Sequence, residues 1–318
     1  MVLLQLGGLL VHGWRRLGLG GTTFTFRLYA KESETEEAKA AVESAMKRMK
    51  ELEAIFSDYD GDSEVLRFCH QPPGTRVKLS APLHEILIKS QKLANETDGA
   101  FDVTIGTLTH LWRRSRRDME LPSEEHLKRA FAGVGHQHLQ LHDDQTGEIA
   151  IDHMRINLGG IAKGYGADEA LKMLRKAGFP RALVAASGDI AFGDPPPNEK
   201  GWRLGLTSLE SPEEPDRYIL LANAACSTSG DTKQFLPIDG KRYSHIVDPK
   251  TGLGLTHRRS VSVVAKNAVT TDSVATALSI MPADQHQQLL KLYDGAARVV
   301  DETTGETVLG EFPDFIEP

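Results

Sequence analysis

Hydrophobic and polar positions alternate over residues 22–30 (TTFTFRLYA), with Phe24, Phe26 and Leu28 on one side and Thr23, Thr25 and Arg27 on the other. A period of two predicts a half-buried strand. The period then lengthens. Ala38, Ala41, Val42, Ala45, Met46, Met49, Leu52, Ile55 and Phe56 recur at helical spacing, which predicts a helix from about Ser33 to Phe56. Acidic residues crowd its first turns and Lys47, Arg48 and Lys50 come later, the order the helix dipole favours. Ser80, with Pro82 just behind it, opens a second helix that carries Ile86, Leu87 and Leu93 and stops before Gly99.

Further along, His138–His142 and Glu148–Asp152 flank Asp-Asp-Gln-Thr-Gly and predict a β-hairpin. A helix over about Lys163–Ala177 ends at Gly178. Ala182–Ala185, Trp202–Thr207, Tyr218–Ala222 and Ser260–Ala265 read as strands, and helices begin near Thr270 and near Ala283. Ala297–Glu302 and Glu306–Leu309 read as a closing hairpin. Strands outnumber helices without a regular βαβ alternation, so the expected class is α+β with mostly antiparallel sheets flanked by helices. Residues 113–118 (RRSRRD) read as a solvated charge run. No linker, repeat or low-complexity tract divides the chain. Residues 1–20 are expected to form a frayed or docked arm and residues 21–318 a single domain. The apolar start is too short to span a bilayer and lacks the basic leader of a signal peptide. The compartment is thus unknown, cytoplasmic as the sequence is written.

Composition narrows the classes. Of 318 residues, 40% are hydrophobic and 25% charged, which excludes a disordered chain, a fibrous repeat and a multi-span membrane protein. With 37 Lys+Arg against 44 Asp+Glu, a general nucleic-acid binder is not expected. Cys69 and Cys226 are the two cysteines, too few for a disulfide framework or a structural zinc site. Walker-type, Rossmann-type, GxSxG and HExxH patterns are absent.

Five other segments gather Gly, Asp, Thr and His where turns are expected. Asp58-Tyr-Asp-Gly-Asp-Ser-Glu-Val65 follows the long helix; on its own it reads as an acidic turn, with Tyr59 available to stack on a flat ring. Asp98-Gly-Ala-Phe-Asp-Val-Thr104 reads equally as a helix end leading into a core strand and as a close backbone approach to a ligand. Asn157-Leu-Gly-Gly-Ile-Ala-Lys-Gly164 opens a helix; two glycines, a helix N-terminus and Lys163 suit an anion, and a tight packing turn is the plainer reading. Thr228-Ser-Gly-Asp231 precedes Ser244-His-Ile-Val-Asp-Pro-Lys-Thr-Gly252, where His245 has the pKa range of a proton acceptor for a hydroxyl. In Thr271-Asp-Ser-Val-Ala-Thr276, Asp272 and Thr276 share one helix face and offer hard oxygen donors to Mg²⁺, although alone the aspartate reads as a dipole complement.

In this order the segments resemble the ApbE family of FAD:protein FMN transferases. The carriers are GGTTFTFRLYA, FSDYDGDSEVLR, GAFDVTIGTLTHLW, INLGGIAKGYGADEAL, ASGDI, STSGD, RYSHIVDPKTG and TTDSVATAL, spread over about residues 20–281. The resemblance implies two interwoven T-fold-like halves with FAD in the cleft between them. It implies Mg²⁺-dependent transfer of FMN from FAD to a Thr or Ser hydroxyl of an acceptor flavoprotein subunit, with release of AMP. Asp272, Thr276 and the carbonyl of Gly160 would hold the metal. Tyr59, Ala100, Phe101, Asp102, Asn157 and Lys163 would line the FAD site, Lys163 near the phosphates, and His245 would take the hydroxyl proton. The sequence departs from the family at Gly20, at Asn157 where Asp is usual, and at Ala275 where some members carry Asp. Two alternatives stand beside this reading: a Mg²⁺-dependent FAD pyrophosphatase giving FMN and AMP, and a non-catalytic flavin-binding protein.

Overall fold

The computed structural model describes residues 4–6, 9–17, 22–209, 214–230, 235–238 and 240–317. The chain opens with β1 (Leu4–Leu6), β2 (Leu9–Leu17) and β3 (Thr23–Ala30), the last being the alternating stretch. After one 3-10 turn come α1 (Thr35–Phe56), α2 (Glu64–Cys69), β4 (Val77–Lys78), α3 (Ala81–Glu96), α4 (Gly106–Asp118) and α5 (Glu124–Phe131). A hairpin of β5 (Leu139–His142) and β6 (Thr146–Ile149) leads to α6 (Ala162–Lys176), β7 (Ala182–Ala186) and β8 (Asp189–Phe192). Then follow β9 (Trp202–Leu206), β10 (Arg217–Leu221), β11 (Ala225–Gly230), β12 (Phe235–Ile238) and β13 (Lys241–Ser244). The chain closes with β14 (Arg259–Ala265), α7 (Ala268–Ile280), α8 (His286–Leu292), β15 (Ala296–Asp301) and β16 (Gly305–Leu309).

Among the described residues, nine strands form one antiparallel sheet in the order β1-β2-β3-β7-β8-β11-β14-β15-β16. The pleat divides its side chains between two cores. Phe24, Phe26, Leu28, Val184, Ala191, Val261, Val263 and Val299 are buried in one core with apolar residues of α1, α6 and α7. Their neighbours along the strands, Tyr29, Leu183, Phe192, Cys226 and Val264, join Trp202, Leu206, Ile219 and Leu221 of the β9–β10 hairpin on the other face. A fully buried Leu or Phe contributes roughly 1.5–3 kcal/mol, so both faces favour this register. The two cysteines are separate free thiols.

The helices end where local chemistry says they must. Ser80 accepts a hydrogen bond from the Leu83 N–H at 3.4 Å and caps α3. Gly178, with φ of 93°, follows α6 in the left-handed conformation that glycine tolerates. The structure adds elements the hydrophobic pattern did not predict. The RRSRRD run belongs to α4, and residues 98–104 turn into that helix rather than into a strand. Helices α4 and α5 and the β12–β13 hairpin share a small core of Leu108, Trp112, Ala130, Leu236, Tyr243 and Val247. No helix among the described residues is long and apolar enough to cross a membrane.

Candidate active site

The site is built where the first turns of α6 and α7 cross. Gly164 makes that crossing possible: a Cβ there would lie far inside van der Waals contact with the Ala268 carbonyl oxygen and 2.9 Å from the Cβ of Asp272. One turn later Asp168 accepts hydrogen bonds from the backbone N–H groups of Ala268 and Val269, each at 2.8 Å, and so fixes the start of α7. Burial pushes the Asp168 carboxyl up to about 6. Gly164→Ala is expected to destabilise the fold by about 1–3 kcal/mol, read as a melting temperature lower by roughly 3–10 °C. An unchanged melting temperature would show that the two helices do not need this contact.

Asp272 stands on the first turns of α7 with its carboxylate buried. One oxygen accepts the Gly164 N–H at 3.0 Å and the other accepts the Lys163 ammonium at 3.1 Å. Lys163 also donates to Asp189 at 2.5 Å. Burial, and then the charge of Asp189, push the Asp272 carboxyl well above the usual carboxylate range against the pull of Lys163. Burial works to lower the Lys163 ammonium, but Asp272 and Asp189 outweigh it and hold the group above its ordinary range. Two carboxylates share one ammonium, so an added cation favours ionisation of both, the electrostatics of a cation site. Asp189, the aspartate of ASGDI, joins this cluster from 26 positions beyond Lys163, a contact that no local pattern points to.

Thr276 lies one turn beyond Asp272 and donates to its backbone carbonyl at 3.0 Å. A Cβ placed on Gly160 would sit 3.1 Å from the Thr276 hydroxyl and 3.4 Å from the Phe101 ring. The glycine backbone, the hydroxyl and the ring are therefore neighbours. Phe101 is held by its own N–H, which donates to the Thr97 hydroxyl at 3.1 Å, and Ala100 beside it is buried. The Asp102 carboxylate accepts from the Thr104 N–H and hydroxyl, both at 2.7 Å, and from the His136 N–H at 3.1 Å, so it ties down the loop that presents Phe101.

Tyr59 is 69% exposed, and the Arg113 guanidinium lies over its ring at 4.2 Å. Asn157 donates its backbone N–H to Val103 at 2.7 Å. Its side-chain oxygen accepts the Gly159 N–H at 3.0 Å, and its amide nitrogen donates to Asp58 at 2.7 Å.

His245 belongs to a second group. It follows β13, whose last residue, Ser244, accepts the Trp112 indole N–H at 2.9 Å on its carbonyl. The Ser244 N–H donates to Leu255 at 2.7 Å, and Gly254 packs against the Trp112 ring with no room for a side chain. Lys250, in the same loop, reaches Asp98 at 3.5 Å. The loop of His245 is thus seated on α4 and beside the segment that carries Phe101, whereas Asp272, Thr276, Lys163 and Gly160 are set by α6 and α7. Asp231, Gly20 and Gly21 lie outside the described residues.

Asp272, Thr276 and the Gly160 carbonyl fit a hard divalent cation by donor type: one carboxylate, one hydroxyl and one backbone carbonyl. Among the described residues no three His, Cys, Asp or Glu side chains gather as a metal cluster, so a cation here would depend on the glycine and threonine oxygens as well.

Comparison with known proteins gives one result. The model of the ApbE family matches residues 20–300. The FAD:protein FMN transferase of Vibrio cholerae is 30% identical over 269 residues, 82% of this chain and 79% of its own length. That of Salmonella typhimurium is 29% identical over 265 residues, 80% of this chain and 76% of its own. Among solved structures, the flavin transferase ApbE from Vibrio cholerae is similar with a TM-score of 0.84 at 26% identity, covering 96% of this chain and 100% of that one. The apo form of the Pseudomonas stutzeri flavinyl transferase ApbE gives a TM-score of 0.82 at 26% identity, covering 96% of each chain.

Proposed function

The chain belongs to the ApbE family, and on that footing we propose that it moves the FMN part of FAD onto a Thr or Ser hydroxyl of an acceptor flavoprotein, releasing AMP. The observation that carries this reading is the meeting of the Gly160 backbone with Thr276 and Phe101 beside the Lys163–Asp272 pair. A diphosphate reached through a bound cation suits such an arrangement: hard oxygen donors for the cation and backbone open to close approach in one place.

In the reaction the hydroxyl oxygen of the acceptor attacks the phosphorus of the FMN half. The bond from that phosphorus to the bridging oxygen breaks, and AMP leaves with the bridging oxygen. His245 accepts the hydroxyl proton, a contribution of roughly 10²–10⁴-fold for a well-placed base. Lys163 stands near the phosphates and, shared between Asp189 and Asp272, holds the Asp272 carboxylate in place. Tyr59 and the Ala100–Asp102 segment line the flavin nucleotide's seat. A Mg²⁺ ion held by Asp272, Thr276 and the Gly160 carbonyl would supply charge neutralisation at the diphosphate.

The test is to incubate the protein with FAD, Mg²⁺ and a candidate flavoprotein subunit, and to follow both the subunit's mass and AMP. Addition of FMN to a Thr or Ser, with AMP released in equal amount, is expected. Free FMN and AMP produced whether or not acceptor is present would replace transfer with hydrolysis. Absence of both products would defeat the proposal.

A further inference from the structure

The acidic turn after α1 does more than its composition suggests. Asp58 is buried, whereas Asp60 and Asp62 beside it are exposed. One oxygen of the Asp58 carboxylate accepts from the Arg113 guanidinium at 2.6 Å and from the Asn157 amide at 2.7 Å. Arg155 donates to the Asp58 backbone carbonyl as well. The turn, helix α4 and the segment leading to Gly160 are therefore joined at one side chain.

Two consequences follow from the chemistry of these groups. An ionised carboxylate only accepts hydrogen bonds, whereas an amide has one donating and one accepting end. Held by Asp58, the Asn157 amide must point its nitrogen at the carboxylate, which leaves its oxygen facing the Gly159 N–H. An amide turned the other way would set donor against donor at Gly159 and acceptor against acceptor at Asp58, and lose both bonds. The Arg113 guanidinium is held by the same carboxylate while it covers the Tyr59 ring. The paired, hydrogen-bonded carboxylate is a tolerable buried charge because Arg113 compensates it.

We infer that Asp58 is a positioning residue of the FAD site: its carboxylate sets the orientation of Asn157, and through it the Gly159–Gly160 backbone, while clamping Arg113 over Tyr59. This rests on the proposal that Gly160 and Tyr59 belong to that site. The juxtaposition is specific to the pair of residue types present. One carboxylate and one amide satisfy each other, two carboxylates at this distance repel, and two amides release the constraint on orientation.

The experiment uses the full chain with FAD as the probe, titrated by flavin fluorescence without metal, alongside thermal melts. Asp58→Asn and Asn157→Asp are each expected to raise the FAD Kd about tenfold, the size of one charge-assisted hydrogen bond. The reciprocal double variant, Asp58→Asn with Asn157→Asp, restores a carboxylate facing an amide but leaves Arg113 on a neutral partner, and its Kd is expected between the parent's and that of either single variant. Variants that melt earlier but bind FAD as the parent does would overturn the inference, since a purely structural role predicts that pattern. A double variant no better than the weaker single would overturn it too. A parent chain that does not bind FAD overturns the functional reading itself, and shows this in the first titration before any variant is compared. In that event the melting temperatures of the four proteins still report whether the two side chains are coupled.

Discussion

Asp272→Ala is expected to lower FMN transfer by about a thousandfold or more and to remove its dependence on Mg²⁺. The carboxylate is the junction of α6 and α7, buried, with the Gly164 N–H on one oxygen and Lys163 on the other. Truncation removes the charged donor of the proposed cation site. It also leaves a buried N–H without an acceptor, a cost of about 1–3 kcal/mol. Lys163 would keep Asp189, but the balance of two carboxylates and one ammonium becomes one of each. Such a site no longer favours an added cation. Asp272→Asn separates the two effects. Its amide oxygen can still accept the Gly164 N–H while its nitrogen turns toward Lys163, which keeps Asp189, so the fold is expected to survive and the lost charge to abolish the Mg²⁺ response. Activity measured against Mg²⁺ concentration, with a thermal melt of each variant, checks this. A normal Mg²⁺ saturation curve in either variant would remove Asp272 from the site.

What could be seen in the sequence, and what could not, follows from the range of the interactions. The strand at 22–30, the long helix ending at Phe56, the Ser80-capped helix and the closing hairpin were legible because periodicity and capping are local. Helices α4 and α5 were not. Only Leu108 and Trp112 give α4 a buried apolar stripe, and its outer side is a run of arginines. In α5 the buried side chain is Ala130 alone among its described residues. The site divides in the same way. Spacing places Asp272 and Thr276 on one helix face, but by itself reads the aspartate as a dipole complement; only the family resemblance makes the pair metal ligands. The contacts of Lys163 with Asp189 and of Asp58 with Asn157 bridge 26 and 99 positions, and no pattern along the chain points from one to the other. The turn holding Asp58 contains several acids of similar appearance, and only burial distinguishes the one that matters.

His245→Ala carries the other large effect: transfer slowed by roughly 10²–10⁴-fold, the range of general-base catalysis, with FAD affinity nearly intact. That different elements set the two groups is the reason to expect this division. Trp112, Ser244 and Leu255 seat the loop of His245 on α4, whereas α6 and α7 set the residues proposed to meet the diphosphate. Loss of the imidazole is therefore expected to leave the Lys163–Asp272–Gly160 arrangement in place while removing the proton acceptor. The pH profile gives a second reading. A base must be neutral to act, so the parent rate is expected to rise with pH as the imidazole loses its proton and then level. The variant should lack that rise, and added imidazole should restore part of it. Single-turnover rates at saturating FAD and acceptor, taken across pH with flavin binding measured separately, decide the matter. A variant that transfers at the parental rate, or one that loses FAD binding in proportion to activity, would mean that His245 is not the base.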